Sequence, residues 1–193
     1  MLCSPGREKL RAMAVSCFHR QTYANRELVL VDGSQQKTIG ALRNEACIWA
    51  DGDLIAHWDD DDWSAPERLE EQVAFLLEHE LDCTGYQDMP FCDTADGGAY
   101  LYRNPDTRYC VGTSLLYRRA SWESRKFDDV QTGEDKAFVL TREHVLSQPS
   151  NGRMVALAHE GNTADKRSKF SLWQKLDSLP ERFLVDAAQS RVL

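Results

Sequence analysis

The chain has 193 residues, of which 42% are hydrophobic and 28% charged. At roughly 100–200 residues per domain this makes one domain, with the composition of a soluble globular protein. Lys and Arg number 23 against 31 Asp and Glu, a net charge of −8, which excludes a general nucleic-acid binder because phosphate contacts need basic surface. No apolar run reaches the roughly 18 residues of a membrane span. Pro5-Gly6-Arg7-Glu8 interrupts any signal-peptide pattern, so the expected compartment is the cytoplasm, its membrane face included. The 6 cysteines form no CxxC pair and fit no zinc template. They read as small reduced core residues.

Leu10, Met13, Ala14, Cys17 and Phe18 recur on one helical face. This predicts a helix with Ser4 as N-cap and Pro5 in its first turn. Leu28-Val29-Leu30-Val31 predicts a strand buried on both faces, stopped by the turn signal Asp32-Gly33-Ser34. A second helix fits 39–50 and ends at Asp51-Gly52, and a buried strand follows over 54–58. Ser64-Ala65-Pro66-Glu67 has the form of a capping box and opens a third helix carrying Leu69, Val73, Leu76 and Leu77. Helices and strands alternating with short links predict a parallel sheet covered on both sides.

Beyond residue 80 the pattern loosens. A short strand fits 83–86, a hairpin or long loop 87–108, a strand 109–117, a helix 133–146 and a last strand 154–158. The polar stretch 159–169 reads as mobile, and two short amphipathic helices fit 170–179 and 180–189.

The strongest chemical feature is Asp59-Asp60-Asp61-Asp62-Trp63. An arbitrary acidic run is usually a solvated loop. This run follows a buried strand, at the end where open α/β sheets place their ligands. Such an oxygen-rich cluster suits Mg²⁺ or Mn²⁺. A calcium EF-hand starting at Asp59 fails, because its sixth position is Ser64 rather than Gly. A nucleotidyltransferase lacks its Gly-rich basic loop here.

Gly40-Ala41-Leu42-Arg43-Asn44-Glu45-Ala46, Ala50-Asp51-Gly52-Asp53, His57-Trp58 with the acidic run, and Pro66-Glu67-Arg68-Leu69 together resemble family 2 glycosyltransferases of the GT-A fold. Gln21 to Ser34, Gly112-Thr113-Ser114 and Gly133-Glu134-Asp135 extend the resemblance from about residue 8 to residue 163. It implies a single α/β domain, 1–193, built as a GT-A-like three-layer α/β/α sandwich with a mostly parallel central sheet. Residues 1–85 would form a nucleotide-binding half, 86–165 an acceptor half and 166–193 a helical tail. The implied reaction moves a sugar from a nucleoside diphosphate, a UDP-sugar foremost, to a hydroxyl of a glycan or other acceptor, with inversion and with Mn²⁺ or Mg²⁺.

The resemblance also implies roles. Asp60 and Asp61 match the DXD-type pair that meets the ribose and the metal–diphosphate, with Asp59 sharing this work. Asp32 matches the carboxylate that reads the nucleoside, although the family often has two acids at that point. Arg43 lines the nucleotide side. Asp135 matches the general base, with Glu134 beside it. His159, in His159-Glu160-Gly161-Asn162-Thr163, resembles a tail motif that closes over the diphosphate and reaches the metal. Without the resemblance, Asp32 is a turn cap, Arg43 a surface residue, and Glu134 and Asp135 ordinary acids in a first helical turn. His159 would be a solvated residue, and Trp58 and Trp63 packing residues.

The family's first apolar strand is reduced here to Met1-Leu2-Cys3-Ser4, which predicts weakened nucleotide affinity. The competing expectation is therefore a sugar-nucleotide or carbohydrate binding module that keeps the fold without turnover.

Overall fold

A computed structural model describes residues 1–163 and 165–192. β1 (Leu2–Cys3) pairs in parallel with β2 (Val31–Asp32). Between them α1 (Glu8–His19) buries Met13, Ala14, Cys17 and Phe18, the predicted face. α2 (Ile39–Trp49) opens where the Thr38 hydroxyl accepts from the Ala41 N–H, and it lies against β1 and β2. β3 (Leu54–Ala56) joins a three-stranded antiparallel sheet in the order β3-β8-β5, with β5 at Cys83–Thr84 and β8 at Leu116–Arg118. α3 (Arg68–Glu78) packs on β5 and β8.

The other sheet has five strands. β4 (Trp63–Ser64) lies at one edge, beside β9 (Met154–Ala158). β6 (Asp88–Asp93), β7 (Ala99–Arg103) and β10 (Gln174–Lys175) complete it. α4 (Arg119–Ser124) continues from β8, and α5 (Glu134–Leu140) packs on α2. α6 (Glu181–Ser190) closes over α1. One core gathers Met13, Phe18, Trp58, Trp63, Leu157 and Phe183. Another gathers Cys47, Tyr117, Trp122, Phe127 and Phe138. All six cysteines are free, and all but Cys3 are buried.

Several expectations change. Among the described residues only the β1–β2 and β6–β9 ladders are parallel, and the others are antiparallel, so the sheet is mixed rather than mostly parallel. Ser4 does not cap α1. Its N–H is spent on Asp60, Gly6 takes a left-handed φ of 76° that no helix allows, and the helix starts after Arg7. Ser64 is not a helix cap either, since it pairs with Met154 in the β4–β9 ladder and α3 starts after Glu67.

The predicted strand 28–31 shrinks to Val31–Asp32, because Leu28 and Leu30 have no backbone hydrogen-bond partner among the described residues. A groove of about 720 Å³ lies between Leu28-Val29 and β3. The stretch 87–108 is the β6–β7 hairpin. Within 109–117, Gly112–Ser114 forms a 3₁₀ turn and strand geometry starts only at Leu116. The helix expected over 133–146 stops at Leu140. The expected helix 170–179 is a 3₁₀ turn followed by β10, with Phe170 stacked on Tyr100 at 4.0 Å between centroids. α6 matches the second tail helix. Ala164, inside the stretch predicted to be mobile, and Leu193, last of the tail, lie outside the described residues.

α6 is fastened by Asp186, which accepts from both Arg20 Nη atoms at 2.8 and 2.7 Å and from Trp63 Nε1 at 2.8 Å. The Arg20 hydrogen bonds hold the Asp186 carboxyl below its usual range. A depressed carboxyl stabilises the fold above its unfolded pKa of about 3.9 and loses that contribution as pH falls through the folded value. Arg20 is partly exposed, so screening limits the effect. Asp186→Asn is expected to cost about 1–2 kcal/mol at pH 7 and progressively less as pH falls from about 3.9 toward about 2. Urea unfolding at both ends of that range measures this, and an equal loss at both would assign the effect to packing instead of charge.

Candidate active site

The acidic run leaves the end of β3, and its four carboxylates point into different surroundings. Asp60 turns toward the β1–α1 link. Its oxygens accept from the Ser4 N–H at 2.7 Å and Arg7 Nη1 at 3.0 Å, with Arg11 Nε at 3.8 Å. Asp62 is buried, and accepts from Thr113 Oγ1 at 2.5 Å and the Leu157 N–H at 3.1 Å. Burial, with the charges of Asp61 and Asp59, pushes its carboxyl well above the usual range. Asp61 Oδ2 meets Arg7 Nη1 at 2.7 Å, His159 Nε2 at 3.0 Å and Asn162 Nδ2 at 3.3 Å.

Asp59, Asp61 and Asp62 each present an oxygen within 4.8 Å of the others. Three hard oxygens at this spacing fit Mg²⁺ or Mn²⁺, and the His159 imidazole adds a nitrogen donor at Asp61. Asp60 lies outside this group of three oxygens; it accepts from the Ser4 N–H, and Arg7 bridges it to Asp61.

Arg43 connects this loop to the start of α5. Its Nη1 lies 3.8 Å from Asp59 Oδ1 and its Nε donates to Glu134 Oε1 at 3.1 Å. Burial works to lower the Arg43 pKa, but Asp59, Glu134 and Asp135 outweigh it and the net shift is upward. Glu134 is buried, and its carboxyl is raised chiefly by that burial, against the pull of Arg43. Asp135 is half-buried and lies against Gly112. A Cβ on Gly112 would sit 1.7 Å from Asp135 Oδ2. The two neighbouring acids thus face opposite ways, Glu134 inward to Arg43 and Asp135 along the 3₁₀ turn.

Asp32 stands apart. It is exposed, and its Oδ1 accepts from the Ser34 N–H at 2.9 Å, a bond that lowers its pKa. No hydrogen bond or ion pair joins it to the acidic loop among the described residues. It lines a separate shallow cavity of about 390 Å³ with Cys3, Pro5 and Arg11. The larger groove beside β3 includes none of residues 59–62, so the grouping of chemical side chains, not cavity size, locates the site.

Sequence reasoning missed Arg7, Thr113 and Asn162 as members of this cluster, and gave Asp62 no role beyond the acidic run. Asn162 and Thr113 lay inside quoted motifs, whereas nothing local marks Arg7, 54 positions from Asp61. Trp58 and Trp63 are packing residues as expected, donating to Ala14 O and Asp186.

Comparison with known proteins places the chain in a family. The model of glycosyl transferase family 2 matches residues 26–125. An uncharacterized glycosyltransferase of Haemophilus influenzae is 33% identical, over 65% of this chain and 63% of that one. Among solved structures, S. aureus TarS 1–349 in complex with UDP-GlcNAc superposes with a TM-score of 0.67 at 18% identity, covering 84% of this chain and 58% of that one. Another crystal structure of S. aureus TarS 1–349 gives a TM-score of 0.64 at 17% identity, covering 81% of this chain and 59% of that one. The chain belongs to glycosyl transferase family 2, with the α/β architecture of GT-A glycosyltransferases. It spans less than two thirds of the length of these relatives.

The close approach of Asp135 to Gly112 is testable. Gly112→Ala is expected to rotate the Asp135 carboxylate away from the turn while leaving the core intact. A crystal structure of the variant checks this, and an unmoved Asp135 side chain would show that the turn yields instead.

Proposed function

We propose that this chain carries out inverting transfer of a sugar from a UDP-sugar to an acceptor hydroxyl, dependent on Mn²⁺ or Mg²⁺. The observation that carries the reading is the grouping of Asp59, Asp61 and Asp62 at one end of Arg43 and of Glu134 and Asp135 at the other. Family membership and the UDP-GlcNAc complex of TarS support the nucleotide-sugar donor.

In this reading Asp59 and Asp61, with His159, would hold the ion. Such an ion offsets the charge that builds on a leaving diphosphate. Asp59 and Arg43 line the nucleotide side, and Asp32 meets the nucleoside at the end of β2. Asp135 removes the proton from the acceptor hydroxyl as the new bond forms. Glu134 is a positioning residue, since its bond to Arg43 fixes the first turn of α5 and leaves Asp135 facing outward. Residues 159–163 contribute His159 and Asn162 over Asp61.

Two substitutions test the assignment separately. Asp61→Asn should abolish the metal dependence of nucleotide binding, measured by calorimetry in Mn²⁺ and in excess chelator. Equal wild-type affinity in both would remove the metal from the reading. Asp135→Asn is nearly isosteric and should keep nucleotide affinity while transfer falls by about 10²–10⁴, the usual worth of a general base. Transfer near the wild-type rate would place the base elsewhere. Absence of donor turnover in wild type, with tight nucleotide binding, would favour a binding module.

A further inference from the structure

Arg7 occupies an unusual place for a cation. It directly precedes α1, at the end of a helix where the dipole disfavours positive charge. Its side chain is nevertheless only 12% exposed, folded back over the acidic loop. One guanidinium nitrogen bridges two carboxylates, Asp60 Oδ1 at 3.0 Å and Asp61 Oδ2 at 2.7 Å, and the other donates to the Gly161 carbonyl. Charge-assisted bonds of this kind are the strong ones. They outweigh the helix end and tie three distant segments together.

The arrangement is crowded at one atom. Asp61 Oδ2 already receives Arg7, His159 and Asn162, more donors than its own share of a carboxylate's roughly four lone-pair sites. A divalent ion on Asp61 must therefore displace a donor. Asn162 has a second acceptor, the Leu157 carbonyl at 3.1 Å, and His159 offers a ring nitrogen of the kind that meets a metal ion itself. Arg7 can do neither. It stays charged at any working pH and repels a second cation on the same carboxylate.

We propose that Arg7 is the resting counter-cation of Asp61, and that a divalent ion enters the site by displacing it. The proposal rests on the reading of Asp59 and Asp61 as metal ligands. Displacement leaves Asp60 with the Ser4 N–H and Arg11, so the β1–α1 link survives. It removes the Arg7 contact to Gly161, so metal entry rearranges the 159–163 turn. Arg7 then acts as a threshold on metal affinity, keeping the acidic loop neutralised until the ion is present.

The test is Mn²⁺ binding to the whole chain, without nucleotide, by calorimetry. Arg7→Gln should bind Mn²⁺ at least tenfold tighter than wild type. Arg7→Lys, which keeps the charge, should stay near wild type. Unchanged or weaker binding by Arg7→Gln overturns the proposal. A second measurement needs no folded Gln variant. In wild type labelled with ¹⁵N-arginine, the Arg7 Nε–H signal, assigned by its loss in Arg7→Lys, should shift when Mg²⁺ is added, and a fixed signal at saturation overturns the proposal. Asp61→Asn separates the two readings. If wild type binds Mn²⁺ through Asp61 yet Arg7→Gln binds no tighter, only the role of Arg7 falls. If no form binds Mn²⁺, the metal reading falls and takes this proposal with it.

Discussion

Four consecutive carboxylates repel one another, and much of the structure around them answers that repulsion. Two unit charges about 4 Å apart interact by about 4 kcal/mol at an effective dielectric near 20, so residues 59–62 cannot share one surrounding. Asp60 is compensated by Arg7 and Arg11, and Asp61 by Arg7, with His159 and Asn162 at hydrogen-bond distance. Asp59 keeps some solvent and faces Arg43. Asp62 is buried, held by Thr113 and Leu157, with its carboxyl pushed toward the neutral form. These partners come from α1 and the turn before it, from α2, from the 3₁₀ turn and from β9 with the turn after it. The loop thus draws together elements that no single sheet joins.

A further cation, Arg68, supports the loop through backbone carbonyls. Arg68 is 1% exposed, yet it has no carboxylate partner among the described residues. Its guanidinium donates to Ser64 Oγ, to Gln72 Oε1 and to the carbonyls of His57 and Thr113, and it lies 4.8 Å from the Trp58 ring. Burial lowers its pKa, and taking such a charge out of water is costly unless its hydrogen bonds are satisfied. Here the carbonyls that receive it flank the acidic loop on one side and the 3₁₀ turn on the other. The same residue that opens α3 therefore fixes how far Thr113 stands from Asp62.

The sequence was legible where physics is local. The buried face of α1, the extent of α2 and the placement of α6 follow from periodicity and capping, and a run of acids after an apolar strand is visible in any reading. Strand direction was not legible, because β8 and β9 pair with partners far along the chain. The lead-in to β2 looks like a buried strand in composition, but Leu28 and Leu30 have no backbone hydrogen-bond partner among the described residues, and only the Val29 carbonyl is met there, by the Met1 amine. The Ser64 box failed because a ladder bond to Met154 competes with helix capping and wins. Which aspartate does what was hidden for the same reason. Asp60 and Asp61 are indistinguishable as letters, and what separates them is Ser4 and Arg11 beside the one and His159 and Asn162 beside the other.

The pairing of the acidic loop and α5 depends on two adjacent residues of α2. Asn44 faces one way. Its oxygen accepts from Trp122 Nε1 at 2.9 Å and from the Phe127 N–H at 3.0 Å, and its amide donates to the Phe127 carbonyl at 2.9 Å. This fixes the chain between α4 and α5 at Phe127, whose ring stacks on Phe138 of α5 at 4.3 Å. Arg43 faces the other way, holding Glu134 and approaching Asp59. α5 has only 7 residues, too few to be stable by itself, so its position is imposed by α2. A polar Asn in a helix is a poor helix former, and its cost is offset by the three bonds that place the segment leading to Asp135. Arg43 and Asn44 thus set the acidic loop and the first turn of α5 relative to one helix, although no sheet ladder links the two among the described residues.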